Sequence, residues 1–342
     1  MADTVQRPIL LGIGGDSGSG KTTIARGLYR LFGAGNILSI CLDDYHSLDR
    51  RARQQAGVTA LNPVANRIDL MEEQLWALKD GRSVLKPVYD HATGTFGPPE
   101  QIHPKPWIVV RGLFPFFTER LREAFDVRVW LDPDEELKYH WKVQRDVAQR
   151  GYSVAQVIRQ VVERQDDLRR YILPQARYAD MVVRFYPPPG YFGKAGAGGP
   201  AGNGHGAETP PDLHVRLTLR RSAPAPGVAE AIARAAALDQ ERHGTRRGAG
   251  GVRIQRGAEG GETLVEVDAG LDGHVAAPLV RDLASMLPID PRATEEMGVF
   301  LAGGRDPKHS HSLLITQLAI AWQMVAAHES TRSLVTERAS PA

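Results

Sequence analysis

Eight residues near the amino terminus, Gly15-Asp16-Ser17-Gly18-Ser19-Gly20-Lys21-Thr22, constrain the fold more than any other stretch. They match G-x-x-x-x-G-K-[ST], a pattern that carries meaning only between a strand and a helix. Both flanks are present. Residues 9–13 form an apolar, β-branched run, and Ile24, Leu28 and Leu31 recur at i, i+4, i+7. In that setting the glycines permit a tight loop whose N–H groups point at phosphate oxygens. Lys21 supplies a point charge to the β/γ-phosphates, the Thr22 hydroxyl is a Mg²⁺ ligand, and the helix N-terminus adds partial positive charge. Gly15 to Thr22 therefore read as the phosphate-binding part of a nucleotide site.

The rest of the first half repeats the same alternation. Residues 37–42, 107–110, 127–131 and 181–185 read as further strands, with amphipathic segments between several of them. Strands alternating with helices predict an α/β fold, a mainly parallel sheet flanked by helices, over residues 1–186. Residues 187–212 are dominated by Gly, Pro and Ala and read as a flexible linker or loop. Residues 213–342 read as an α+β extension. Strands are expected at 213–219, 252–255 and 263–267, helices at 228–238, 277–286 and 312–327, and a glycine-rich patch spans 248–261. This extension carries few chemical signals and is expected to widen the sheet or mediate dimerisation.

Composition narrows the function classes. The net charge is +2, so no global field argues for nucleic acid or an anionic membrane, and any basic site is local. No run approaches the ~18 apolar residues of a membrane span. Cys41 is the single cysteine, which excludes an intrachain disulfide and a cysteine-built zinc site. A reducing cytoplasm is the expected setting.

The second strand ends in Cys41-Leu42-Asp43-Asp44-Tyr45-His46-Ser47-Leu48-Asp49-Arg50. A carboxylate at the carboxyl end of a strand beside the loop sits where ligands bind in open α/β sheets. It can accept a hydroxyl proton as an alcohol attacks the γ-phosphorus, help to hold Mg²⁺, or merely cap a helix. After Asp132 as N-cap and Pro133 at the first helical position, residues 133–150 read as a helix with Lys138, Lys142 and Arg145 on one face. Spacing alone leaves open whether that face is solvated or binds phosphate.

At these residues the chain resembles the phosphoribulokinase/uridine kinase family, specifically the plant and cyanobacterial phosphoribulokinase branch. The matching stretches are ICLDDYHSLDR (40–50), VTALNPVANRIDLM (58–71), KPVYDH (86–91), WKVQRDVAQRGYS (141–153), YILPQARYAD (171–180), LVEVDAGLDG (264–273) and LLITQLAIAW (313–322). The resemblance implies ATP- and Mg²⁺-dependent phosphorylation of ribulose 5-phosphate, a step of carbon fixation, by a homodimer. It makes Asp43 the catalytic base, and it has His46, Arg50, Tyr89, His91 and Arg150 contact the sugar phosphate. It also has Lys142 and Arg145 stabilise the transferring phosphate, while Arg164 covers ATP from a lid. Thr22 with Asp43 or Asp44 would hold the metal.

Two departures stand out. Where the family reads Glu-Gly-Leu-His-Pro, with a glutamate that helps to hold Mg²⁺, this chain reads Arg111-Gly112-Leu113-Phe114-Pro115. The plant-type enzymes are switched by a disulfide from a loop cysteine, whose place is taken here by Ser19, so Cys41 has no partner. Other readings remain open: a uridine-kinase-like or other sugar-phosphate kinase, or a nucleotide-binding homologue impaired by Arg111.

Overall fold

The first strand, β1 (Ile9–Gly15), is buried along its whole length in the computed structural model. The structure describes residues 7–189, 212–220, 222–225, 227–232, 234, 251–257, 261–271, 273–302 and 306–339. The residue-by-residue alternation of a strand divides β1 between two cores. Ile9, Leu11 and Ile13 face one, and Leu10 faces the other. Such two-sided burial produces the unbroken apolar run seen in the sequence.

Four further strands lie parallel to β1: β2 (Ile37–Cys41), β5 (Trp107–Gly112), β6 (Val127–Leu131) and β7 (Met181–Tyr186). The sheet continues without interruption into three antiparallel strands, β8 (His214–Leu219), β9 (Val252–Arg256) and β10 (Thr263–Val267). The eight-stranded order is β2-β5-β1-β6-β7-β8-β10-β9. The linker expected at 187–212 falls largely outside the described residues, as does the end of the helix expected at 228–238, whereas the middle of the glycine patch at 248–261 forms β9.

Helix α1 (Lys21–Phe32) follows the loop directly and buries Ile24, Leu28 and Leu31, the three residues that marked it in the sequence. Each such burial stabilises by about 1.5–3 kcal/mol. Against the same face packs the C-terminal helix His311–Ala339, which is longer than the expected 312–327 and buries Ile315, Leu318 and Met324. Buried Gln317 ties the layers together, donating to the Thr23 carbonyl at 3.1 Å and accepting from the Gly298 N–H at 2.8 Å. On the opposite face α3 (Ile68–Lys79), which follows the short α2 (Arg50–Gln55), and α4 (Glu119–Ala124) cover the second core. No helix among the described residues is long and apolar enough to cross a membrane.

Two local expectations change. The basic helix α5 runs Glu135–Arg150, and its N-cap is Asp134 rather than Asp132. The Asp134 carboxylate accepts from the N–H groups of Glu136 and Leu137, while the Asp132 and Asp134 N–H groups are spent on β7 carbonyls. Periodicity gives no warning of the hairpin β3 (Val84–Asp90) with β4 (Thr95–Ile102), because Pro87, Pro98 and Pro99 break the pattern. Prolines are tolerated there because the hairpin is a separate two-stranded sheet whose outer edges need no pairing. A second hairpin joins β11 (Val299–Ala302) to β12 (Asp306–His309), just before the C-terminal helix.

Candidate active site

The carboxyl ends of β1, β2 and β5 open into one cleft of about 1320 Å³. Its floor is the loop from Gly15 to Thr22. Gly18 and Gly20 adopt φ of 89° and 93°, conformations that side chains rarely tolerate. Gly18 is also forced by proximity, since a Cβ there would lie 3.0 Å from the Lys142 Cβ on α5. Lys21 donates from Nζ to the carbonyls of Gly15 and Asp16 at 2.7 and 2.8 Å, which holds its amine within the loop. Burial pulls that amine down to about 8, against the pull of Asp43 and Asp16. Ser19 is buried and its hydroxyl finds no partner among the described residues.

Asp16, within the loop, is buried, and its carboxylate is paired with Arg164 and, at 3.5 Å, with Lys138. Burial would raise this carboxyl, but Arg164, Lys138 and Lys21 hold it below its ordinary value. Arg164 closes α6 (Val154–Glu163), a helix begun by the Ser153–Gln156 capping box. It thereby reaches back from the helix end to the loop.

The basic face of α5 is organised by a residue that sequence reading passed over. Asp146 is fully buried, accepts from Lys142 Nζ at 2.6 Å and from Arg145 Nε at 2.9 Å, and pairs with the Arg150 guanidinium at 3.3 Å. Burial opposes its ionisation, but the three cations keep it a carboxylate. Arg145 also donates to the Ser17 hydroxyl at 3.0 Å, which ties the cluster to the loop. Lys142 is pulled down to about 8, first by burial and then by Arg164. The signal was present in the sequence: Asp146 stands four residues after Lys142 and four before Arg150, the spacing of helix neighbours.

The Asp43-Asp44 pair divides its work. Asp44 accepts from Lys86 Nζ at 2.6 Å and from the Tyr89 N–H at 3.1 Å, and Lys86 also meets Glu100 at 2.9 Å. This knot, centred on the buried Lys86 amine, clamps the β3–β4 hairpin against the end of β2. Asp43 instead faces the cleft, with His91 Nε2 at 3.6 Å from its Oδ2. Burial would raise the Asp43 carboxyl, yet His46, His91, Lys21 and Arg111 hold it below the usual carboxylate range.

The hairpin so clamped delivers Tyr89 and His91 to the same wall as His46, with the Tyr89 ring edge-on to both imidazoles at 4.9 and 5.2 Å. His46 is buried and meets Asn66 Oδ1 at 2.8 Å through Nδ1. Burial pushes both imidazoles toward the neutral form, against Asp43. Arg50 donates to the His91 carbonyl and lies 5.6 Å from the Tyr152 ring. Arg53, unmarked by the sequence reading, donates to the Tyr89 hydroxyl at 2.9 Å. Arg150 lines the same end of the cleft. All the candidate residues but Gly15 and Asp16 line this one cavity, and Asp44 is committed there to Lys86.

Arg111 lines the cleft at the end of β5, where it faces Cys41. Among the described residues no group of three or more His, Cys, Asp or Glu side chains stands ready to hold a metal ion. A hydroxyl and a single carboxylate are nonetheless a donor set suited to Mg²⁺, which keeps several waters and takes its other ligands from phosphates.

The phosphoribulokinase/uridine kinase family model matches residues 10–188. The chain is 48% identical over 187 residues to phosphoribulokinase of Synechocystis sp., covering 55% of this chain and 56% of that protein. It is 44% identical over 200 residues to the chloroplastic phosphoribulokinase of Triticum aestivum, covering 54% and 50%. It is 32% identical over 188 residues to uridine kinase of Brevibacillus brevis, covering 54% and 86%. The chain thus spans about half the length of the phosphoribulokinases it matches. Among solved structures, phosphoribulokinase from Rhodobacter spheroides superposes with a TM-score of 0.52 at 17% identity, over 76% of this chain and 90% of that one, a likeness of fold. With its matched segment exceeding half its length, the chain belongs to the phosphoribulokinase/uridine kinase family.

Proposed function

We propose that this chain is an ATP-dependent kinase that phosphorylates D-ribulose 5-phosphate to ribulose 1,5-bisphosphate. The observation that carries the reading is a carboxylate, Asp43, standing in one cleft between two cationic ends. One end is the loop with Lys21, Lys142 and Arg145. The other is Arg50 and Arg53, with Arg150 reaching back to Asp146. A phosphorylated sugar needs such a second anion site, whereas an uncharged nucleoside does not.

In this reading the sugar phosphate is held by Arg50 and Arg150, with His46, Tyr89 and His91 forming the wall. Asp43, kept ionised by its cationic neighbours, accepts the proton of the primary hydroxyl as that oxygen attacks the γ-phosphorus. The bond from the γ-phosphorus to the β–γ bridging oxygen breaks, and ADP leaves. Lys142 and Arg145 oppose the charge on the transferring group, fixed in place by Asp146 before substrate arrives. Arg164 covers the nucleotide once phosphate competes for it with Asp16. Thr22 and Asp43 would hold Mg²⁺, which supplies charge neutralisation when bound with ATP. Asp44, committed to Lys86, acts as the hairpin anchor. Homodimeric assembly and a cytoplasmic setting belong to the same reading, supported by the resemblance to the cyanobacterial enzymes.

Arg111 favours a second reading, a nucleotide-binding homologue without turnover. A single assay separates them: ATP consumption with ribulose 5-phosphate, ribose 5-phosphate or uridine, for wild type and Asp43→Asn. We expect turnover on ribulose 5-phosphate and a loss of at least ~10²-fold in Asp43→Asn with ATP binding retained. Preference for uridine would assign a nucleoside kinase, and no turnover on any acceptor would assign the impaired homologue.

A further inference from the structure

A single helical turn carries one side chain committed to the phosphate loop and another committed to the opposite wall. Arg164 closes α6 and pairs with Asp16 of the loop, and its carbonyl accepts from the Leu168 N–H at 2.9 Å. Asp167 lies three residues on, within that hydrogen-bonded turn, so the two side chains are helix neighbours. From Leu168 to Ile172 the backbone widens into a π-helical turn, a form found mostly at functional sites.

The Asp167 carboxylate makes no capping bond to the turn it begins. Its Oδ2 accepts from the Thr59 hydroxyl at 2.7 Å, and its Oδ1 from Asn62 Nδ2 at 3.3 Å. These two partners organise residues 58–66. The Thr59 hydroxyl oxygen accepts from the Leu61 N–H at 3.1 Å, and Asn62 Oδ1 caps the short turn Pro63–Ala65 through the Val64 N–H at 3.2 Å. Asn66 Nδ2 then donates to the carbonyls of Asn62 and Ala60 at 2.8 and 3.1 Å. Both amide protons are spent, so Asn66 Oδ1 accepts from His46 Nδ1. That bond fixes the tautomer of His46 and leaves Nε2 as the acceptor of the neutral ring.

We propose that Asp167 is a positioning residue that couples nucleotide binding to sugar-phosphate binding, acting through Thr59, Asn62 and Asn66 on His46. The proposal rests on the reading of the cleft as a nucleotide site joined to a sugar-phosphate site. Nucleotide phosphate competes with Asp16 for Arg164, so an occupied loop acts on the turn that Arg164 and Asp167 share. Asp167 passes that change to residues 58–66, and the sugar phosphate acts on the same segment from His46. Each ligand orders what the other needs, and the second to bind meets a smaller ordering cost. Linkage makes the effect reciprocal.

Calorimetric titration of ribulose 5-phosphate, with and without the Mg²⁺ complex of the β,γ-imido analogue of ATP, tests the proposal. In wild type the analogue is expected to tighten ribulose 5-phosphate about 5-fold or more, the low end of ordinary coupling between sites. Asp167→Ala and Thr59→Val should each abolish that gain, and the double variant should lose nothing further, as for two halves of one contact. Thr59→Ser keeps the hydroxyl and is expected to keep the coupling. So is Asp166→Ala, which removes an exposed carboxylate paired with Arg169 on the surface. The proposal is overturned if Asp167→Ala retains the wild-type gain. It also falls if the variant weakens each ligand alone and leaves the gain intact, since Asp167 would then be structural. A wild type that binds both ligands without coupling removes this inference and leaves the proposed function standing. One that binds the analogue but not ribulose 5-phosphate sinks both.

Discussion

Arg111 donates from Nη1 to Cys41 Sγ at 3.2 Å, across the register in which the two residues are direct partners on β5 and β2. A thiol is a weak acceptor, so it occupies one of five guanidinium donors and holds it loosely. Burial, helped by Asp43, pushes the Cys41 thiol up to about 11, so it stays protonated. Arg111 is therefore a cation parked at the rim of the phosphate site, in a place where its relatives by resemblance carry a carboxylate.

If the site has adapted to that cation, the side chain leaves Cys41 for a phosphate oxygen when nucleotide binds. Wild type then turns over with Mg²⁺, and Arg111→Ala lowers kcat by ~10-fold or more through a lost phosphate contact. Steady-state kinetics across a Mg²⁺ titration check this. A faster Arg111→Ala, or an inert wild type revived by Arg111→Glu, would show that the arginine damages the metal site instead.

Asp146 holds three cations in register, and its charge is as necessary as theirs. Asp146→Asn keeps the shape but removes the charge, leaving Lys142, Arg145 and Arg150 to repel one another. The expected outcome is a fall in kcat of ~10-fold or more. A stability loss of up to about 3–5 kcal/mol, as for a broken buried ion pair, should accompany it in denaturant titration. Unchanged kinetics in a folded variant would reduce Asp146 to a bystander.

The pH dependence follows from the two buried lysines. Lys21 and Lys142 both sit at about 8, lowered chiefly by burial, so each is charged below that pH and neutral above it. Their attraction for phosphate is present at pH 7 and is lost as pH rises through about 8. Asp43 lies below the usual carboxylate range and contributes no limb near neutrality. The expected profile of kcat/KM for ATP falls on the alkaline side with an apparent pKa of about 8. The limb in kcat should lie higher, because bound phosphates stabilise the charged amines. A kcat/KM profile that stays flat well above pH 8 would exclude both lysines as its source.

What the chain settles by itself is what contiguous residues can encode. The phosphate loop is eight adjacent residues between a strand and a helix, and its geometry follows from glycine conformations and a helix end. The parallel strands were legible because burial on both faces leaves an apolar run. Asp146 was half-legible, since i, i+4 spacing brings Lys142 and Arg150 to it within one helix. The remaining relationships join residues far apart in the chain, and only packing decides them. Lys86 finds Asp44 because an unforeseen hairpin folds over the end of β2. Arg111 meets Cys41 because β5 inserts between β1 and β2. Asp212 and Phe300 line the same cleft as the loop because the sheet runs on through β8 and the C-terminal helix packs back on α1. Local pattern fixes conformation one turn at a time, whereas a site is a coincidence of surfaces that exists only once the two cores have closed.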